Sequence, residues 1–185
     1  MGELPPLSLA DWIVLTVVDE QPTHGFAIAA LTAEDGAIGR VWHIPRPIVY
    51  RCLDRLTGLA LLQVETTEAG SRGPQRSILA TTPAGSAAVA EWLHEPVPHV
   101  RDMRSALLVK LALLNRRGED PAGLIAAQHD ILAPVRDTLR RRHAAATGFD
   151  RTLLMWRLEN AEAAVRFLDA IGRSSPAPLP PDDAG

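Results

Sequence analysis

The chain has 185 residues, 46% of them apolar and only 4% aromatic, with a formal net charge of −3. That much aliphatic side chain packs a helical core in one domain or two small ones and excludes a disordered chain. The longest apolar stretches, Ile13 to Val18 and Ala106 to Leu114, fall far short of the roughly 20 residues of a membrane span, Met1-Gly2-Glu3-Leu4-Pro5-Pro6 has no basic segment leading into an apolar one, and a cytoplasmic protein is expected.

The first predicted helix announces its own start: Ser8 is an N-cap, Asp11 stands three positions on as in a capping box, and Leu7 can staple onto Trp12. It runs through Ile13, Leu15 and Val17-Val18 to about Asp19, where Gln21-Pro22 ends it. Thr23 is the expected cap of a second helix in which Phe26, Ala27, Ile28 and Leu31 recur at helical spacing. Gly36 and Gly39 break that helix, and Val41 to Ile44 reads as an irregular lead into the next element. In the third helix Pro47 occupies the first turn, where its missing N–H does no harm. Val49, Leu53 and Leu56 form its apolar stripe, leaving Arg46, Tyr50, Arg51, Asp54 and Arg55 mainly on the other side.

Leu62, Val64 and Thr66 alternate as a half-buried strand, and Arg76, Ile78 and Ala80 alternate again after a Gly/Pro/Arg turn that carries Arg72. Thr82-Pro83 then caps a fourth helix reaching about His94. This order, helix, strand, turn, strand, new helix, describes a winged helix.

Long helices follow. One spans Val100 to Arg116, with Met103, Leu107, Leu111 and Leu114 as a stripe. A second spans about Asp120 to Thr147, capped by Asp120, with Pro134 expected to kink or divide it. In the last, Asp150 to Ile171, Leu154, Leu158, Ala161, Val165 and Leu168 keep a 4-3-4-3 spacing, and Leu153, Trp156, Phe167 and Ile171 form an adjoining strip. Such spacing means contact with another helix over several turns, and it suggests self-association. The fold expected is mainly α with a small β-hairpin: a winged helix-turn-helix domain over 1–93, an α-helical dimerisation domain over 94–173, and a disordered Pro- and Asp-rich tail over 174–185.

Charge is distributed unevenly. Between Arg40 and Arg76 six arginines face three acids, a local charge of +3 within a chain that is negative overall, and groove binding depends on the local field. Lys110 is the only lysine. Arginine suits bidentate contact with phosphate or guanine, although an Ala/Arg-rich coding bias gives the same composition. The single cysteine, Cys52, excludes an intrachain disulfide and reads as a small core residue rather than a redox sensor. His94, His99, His129 and His143 lack the spacing of a metal site, so no metal and no cofactor is assigned. No phosphate loop, nucleophile elbow or paired acid and base marks an enzyme.

These residues bring out a resemblance. His24-Gly25-Phe26, the run Tyr50-x-x-Leu53-x-Arg55-Leu56, and Gly73-Pro74-x-Arg76 followed by Thr82-x-x-Gly85 resemble the PadR family of winged-helix transcriptional regulators. Arg101 to Leu114, Trp156-Arg157 and Leu168-Asp169 are similar to its virulence-activator type of C-terminal domain, so the likeness covers roughly residues 8 to 172. Ala60 stands where the family usually has glycine, with Gly58 two residues early, and Pro45 stands where it commonly has a small hydroxyl cap. The resemblance implies a homodimer that represses transcription from a near-palindromic operator, released in many relatives by a small aromatic or cationic effector.

The expected DNA-binding residues are Arg46, Pro47, Tyr50, Arg51 and Arg55 on the third helix, Arg72 at the wing tip and Arg76 at the strand start. The alternative for the arginines is a solvated face, and for Tyr50 packing on the first helix. Leu107, Leu111, Leu154, Leu158, Ala161, Val165 and Leu168 are the expected dimerisation residues. Trp156 is either an effector contact or, like Trp12 and Trp92, a core residue. His24 reads as a turn-stabilising imidazole, and a protein-interaction module without operator binding is the rival reading.

Overall fold

Ser8 and Asp11 close a capping box at the start of helix α1 (Leu9–Glu20) in the computed structural model, which describes residues 5–68 and 76–173. The Asp11 N–H donates to Ser8 Oγ at 3.2 Å, and Asp11 Oδ2 accepts from the Ser8 N–H at 2.9 Å. Every residue from Ile13 to Val18 is buried, so α1 is the central post of the first of two compact units, which ends at Leu93. Full burial of each such aliphatic side chain is worth about 1.5–3 kcal/mol.

Helix α2 (Gly25–Leu31) is capped by His24 rather than Thr23: the His24 Nδ1 accepts from the Ala27 N–H at 3.1 Å. After it the chain loops back through buried Ile38 and Ile44, and the Thr32 carbonyl accepts from the Ile44 N–H at 3.0 Å. Helix α3 (Arg46–Gly58) packs Val49, Cys52, Leu53 and Leu56 inward against α1 and α2. A methyl placed on Gly25 would lie 2.9 Å from Tyr50 Cε1 and 3.0 Å from Leu53 Cδ1, so glycine there lets the two helices approach closely.

Helix α3 ends in a turn whose hydrogen bonds are those of a Schellman motif. The Leu61 N–H donates to the Leu56 carbonyl and the Ala60 N–H to the Thr57 carbonyl, both at 3.0 Å. Ala60 takes the left-handed position of that motif at φ 56, so alanine fills the glycine's place and the helix keeps its end.

Strands β1 (Leu62–Glu68) and β2 (Arg76–Thr81) pair antiparallel. Their phase corrects the expected alternation. The register slips between Val64 and Thr66, leaving Glu65 as a bulge. Leu62 and Leu79 are buried while Val64 is 54% exposed and Ile78 only half-buried. The extra residue puts Thr66, paired with Ile78, on the opposite face from Val64, which precedes the bulge and pairs with Leu79. Thr82 then caps α4 (Pro83–His94), its Oγ1 accepting from the Gly85 N–H at 3.1 Å. Trp92 of α4 stacks on Trp12 of α1 with ring centroids 5.1 Å apart.

The second unit begins at His94. Its first residues are fastened from within: the buried Gln128 side chain accepts from the Val97 N–H at 2.7 Å and donates to the Val97 carbonyl at 2.9 Å, and the buried Lys110 Nζ donates to the Glu95 carbonyl. A 3-10 turn (Val100–Asp102) and a π-helical turn (Met103–Leu107) lead into α5 (Leu108–Arg116). Helices α6 (Ala122–Ala145) and α7 (Gly148–Arg173) form an antiparallel hairpin. Pro134 does not divide α6, whose helical run continues unbroken through it. No helix among the described residues is long and apolar enough to cross a membrane.

Candidate nucleic-acid interface

Four buried residues on one side of α3 fix what its other side presents. With Val49, Cys52, Leu53 and Leu56 inward, Pro47, Tyr50, Arg51, Asp54 and Gly58 point outward, Arg46 flanks them on one side and Arg55 on the other. Pro47 and Arg51 are exposed, and Tyr50 is 41% exposed. The hairpin of β1 and β2 follows α3 directly and packs beside it through β1. An exposed helix face and a β-hairpin therefore occupy the same unit. Arg76 opens β2 opposite Glu68, and Arg72 lies outside the described residues, as does the expected tail over 174–185.

The arginines of α3 differ in what holds them. Arg46 sits over two rings, its guanidinium carbon 5.3 Å from the centroid of Phe26 and 5.7 Å from that of Tyr50. Arg51 is exposed and makes no ion pair among the described residues. Arg55, expected as a DNA contact, is engaged within the subunit: Nη1 pairs with Asp11 Oδ2 at 2.8 Å and Nη2 donates to the Pro6 carbonyl at 2.9 Å. Its last-turn position aims it at the start of α1, where a buried carboxylate needs a partner.

That carboxylate is a hub. Burial alone would raise the Asp11 pKa, but the Ser8 hydroxyl and N–H, the Cys52 thiol and the Arg55 guanidinium together hold it below its ordinary value. Burial, with Asp11 beside it, pushes the Cys52 thiol up to about 12, so this cysteine stays protonated and acts as a core residue with a weak donor.

Phe26 stands beside this face, a placement that sequence reasoning missed. Its spacing with Ile28 and Leu31 looks like an inward face, yet it is 54% exposed and lies beneath Arg46. The signal was present in the His24-Gly25-Phe26 turn, because the first residues of so short a helix lie at its rim. Trp42, also exposed, stands in the segment leading into α3.

In the second unit the expected dimerisation residues are placed differently from expectation. Leu154, Leu158, Ala161, Val165 and Leu168 are all buried by the packing of α7 within its own chain, chiefly on α6. Leu107 is fully buried too, and Leu111 is half-buried. The helical partner that their spacing demands is thus intramolecular. The exposed apolar residues of α7 are Phe149, Leu153, Met155, Trp156 and Phe167, with Ile131 and Val135 on α6. Trp156 is 69% exposed, which removes the core reading for it. It does not line the open cavity of about 340 Å³ at the α6–α7 turn, whose walls include Arg142, Asp150, Leu153 and Arg157. Among the described residues no group of three His, Cys, Asp or Glu side chains could hold a metal ion.

No family model and no curated protein matches the chain. Solved structures do. The chain is similar to Bacillus subtilis PadR in complex with operator DNA, at 18% identity and a TM-score of 0.45, over 90% of this chain and 99% of that one. It is also similar to a crystal structure of Bacillus subtilis PadR, at 16% identity and a TM-score of 0.41, over 94% of this chain and 98% of that one.

Proposed function

We propose that this chain is a sequence-specific DNA-binding transcriptional regulator of the PadR type, a repressor acting as a homodimer on a near-palindromic operator. The observation that carries the reading is the outward face of α3, where Pro47, Tyr50 and Arg51 stand exposed with Arg46 at their flank, beside a hairpin continuous with the helix. In a winged helix that face enters the major groove and the hairpin follows the backbone. Arg46 and Arg51 supply charge, the Tyr50 hydroxyl donates to a phosphate, and Arg72 and Arg76 carry the wing contacts. Arg55 holds α1 against α3 and is not part of the contact set. Two such helices, separated by about 34 Å, meet successive major grooves on one side of the duplex.

Pairing uses the exposed apolar strip of α7, with Trp156 at its centre, because the inner stripe is already covered by α6. Effector release is the finer part of the reading, tested by asking whether aromatic or cationic compounds displace bound DNA.

The test is electrophoretic titration of the full chain against fragments selected from the parent genome. Retardation of specific fragments is expected, with affinity falling steeply as salt rises because counterions are released from phosphates. Arg51→Ala is expected to weaken operator binding by about 1–3 kcal/mol if it reads a base. Absence of any retarded fragment, or affinity independent of salt, would leave the protein-interaction module as the better reading.

A further inference from the structure

The three arginines of α3 are not equivalent, and Arg46 is set apart by a ring that α2 places against it. Arg55 is tied to Asp11, and Arg51 has no ring against it, whereas Arg46 lies over Phe26 at 5.3 Å and Tyr50 at 5.7 Å. Both distances fall within the roughly 6 Å over which a guanidinium is attracted by a ring face. Among the described residues no carboxylate pairs with Arg46, so nothing competes for its N–H edge. The rings are themselves half in solvent, Phe26 more than Tyr50, so this is no fragment of the core.

We propose that Arg46 is the guanine-reading residue of the interface and that Phe26, acting across from α2, is its positioning residue. The proposal rests on the reading of α3 as the DNA helix. Three physical steps support it. Arg46 is the first residue of α3, and it is the N-terminal residues of such a helix that meet base edges. A guanidinium lying on a ring keeps its five donors at its free edge, the edge that takes the O6 and N7 of guanine together. An arginine restrained before binding has less rotamer freedom to lose on contact, so its discrimination is larger than that of an arginine with no ring against it, such as Arg51. Phe26 touches no base in this scheme. It lowers the mobility of the side chain that does, and Tyr50 contributes the second face.

The experiment measures binding of the full chain to a selected operator and to a set of operators with each base pair replaced in turn, for the wild type, Arg46→Ala, Arg46→Lys, Phe26→Ala, Phe26→Leu and Phe26→Tyr. Wild type is expected to discriminate about 10- to 100-fold against replacement of one guanine per half-site. Arg46→Ala and Arg46→Lys abolish that preference and leave the other positions unchanged. Phe26→Ala and Phe26→Leu reduce it several-fold at the same guanine with the salt slope unchanged, and Phe26→Tyr retains it. Thermal melting confirms that the exposed substitutions leave the fold intact, and Phe26→Leu preserves apolar bulk while removing the ring. The inference is overturned if Phe26→Leu leaves the base profile untouched, or if Arg46→Ala weakens every operator equally with a shallower salt slope, the mark of a phosphate contact. A wild type that retards no fragment sinks the reading of α3 itself, an outcome distinct from either.

Discussion

Ala60 is strained for a reason that can be stated in one torsion angle. Its φ of 56 is the only positive value among the described non-glycine residues, and it lets the Leu61 and Ala60 N–H groups reach the last carbonyls of α3. An L residue with a Cβ is disfavoured there, and glycine is not. Ala60 is exposed and its only further hydrogen bond, from Thr82 Oγ1, is accepted by its backbone carbonyl. Ala60→Gly therefore removes strain without removing a contact, and is expected to stabilise the first unit by about 0.5–1 kcal/mol after allowing for glycine's greater freedom when unfolded. An unchanged or lowered denaturant midpoint with the same m-value would contradict this account. The same residue shows what sequence can miss: alanine at a glycine position looks like a changed helix end, whereas the motif survives by bearing the strain.

At the scale of elements, the caps of α1 and α4 were legible, the cap of α2 lay one residue past the expected Thr23, and strand phase was not legible. Ser8 with Asp11, and Thr82 before Pro83, marked the starts of α1 and α4 because their chemistry is local. Strand phase failed at Glu65, since a bulge depends on the partner strand, and Phe26 failed because seven residues of helix are too few to average out a rim position. Ionisable groups buried in different units give this scale its own prediction. Burial pushes the Lys110 ammonium down to about 8 from an ordinary value of 10.5, with Glu95 only partly offsetting it. Between those values the unfolded chain holds a proton that the folded second unit lacks, so stability rises with pH, by up to about 3 kcal/mol. Cys52 acts in the opposite sense. Its folded pKa near 12 lies above the ordinary 9.0, so the folded first unit keeps a proton the unfolded chain loses, and its stability falls above pH 9. Urea unfolding at pH 7 and pH 10 is expected to shift the transition of the second unit upward relative to that of the first. Lys110→Met and Cys52→Ala each flatten one of the two slopes, and parallel transitions at both pH values in the unaltered chain would refute the assignment.

For the whole molecule, the decisive ambiguity is whose helix covers α7. A 4-3-4-3 apolar stripe states that a helix lies alongside, and the physics of burial is identical whether that helix belongs to the same chain or another. Here the inner stripe is covered by α6 of the same chain, which leaves Phe149, Leu153, Trp156 and Phe167 as a second strip along the outer side of α7. A run of large apolar side chains on one exposed helix is unfavourable in water unless a partner removes it. If two chains pair through it, Trp156→Glu and Phe167→Glu place charges in the centre of the contact while touching nothing in the inner stripe. Sedimentation is then expected to show a dimer for the wild type and a monomer for the double variant, with the α6–α7 hairpin still helical. Because a dimer engages two half-sites at once, the variant is expected to lose roughly 10²–10⁴-fold in affinity for the full operator while binding a single half-site as the wild type does. A double variant that remains dimeric would move the pairing surface away from α7. A monomeric variant that keeps full operator affinity would separate pairing from recognition, leaving each winged helix to act alone.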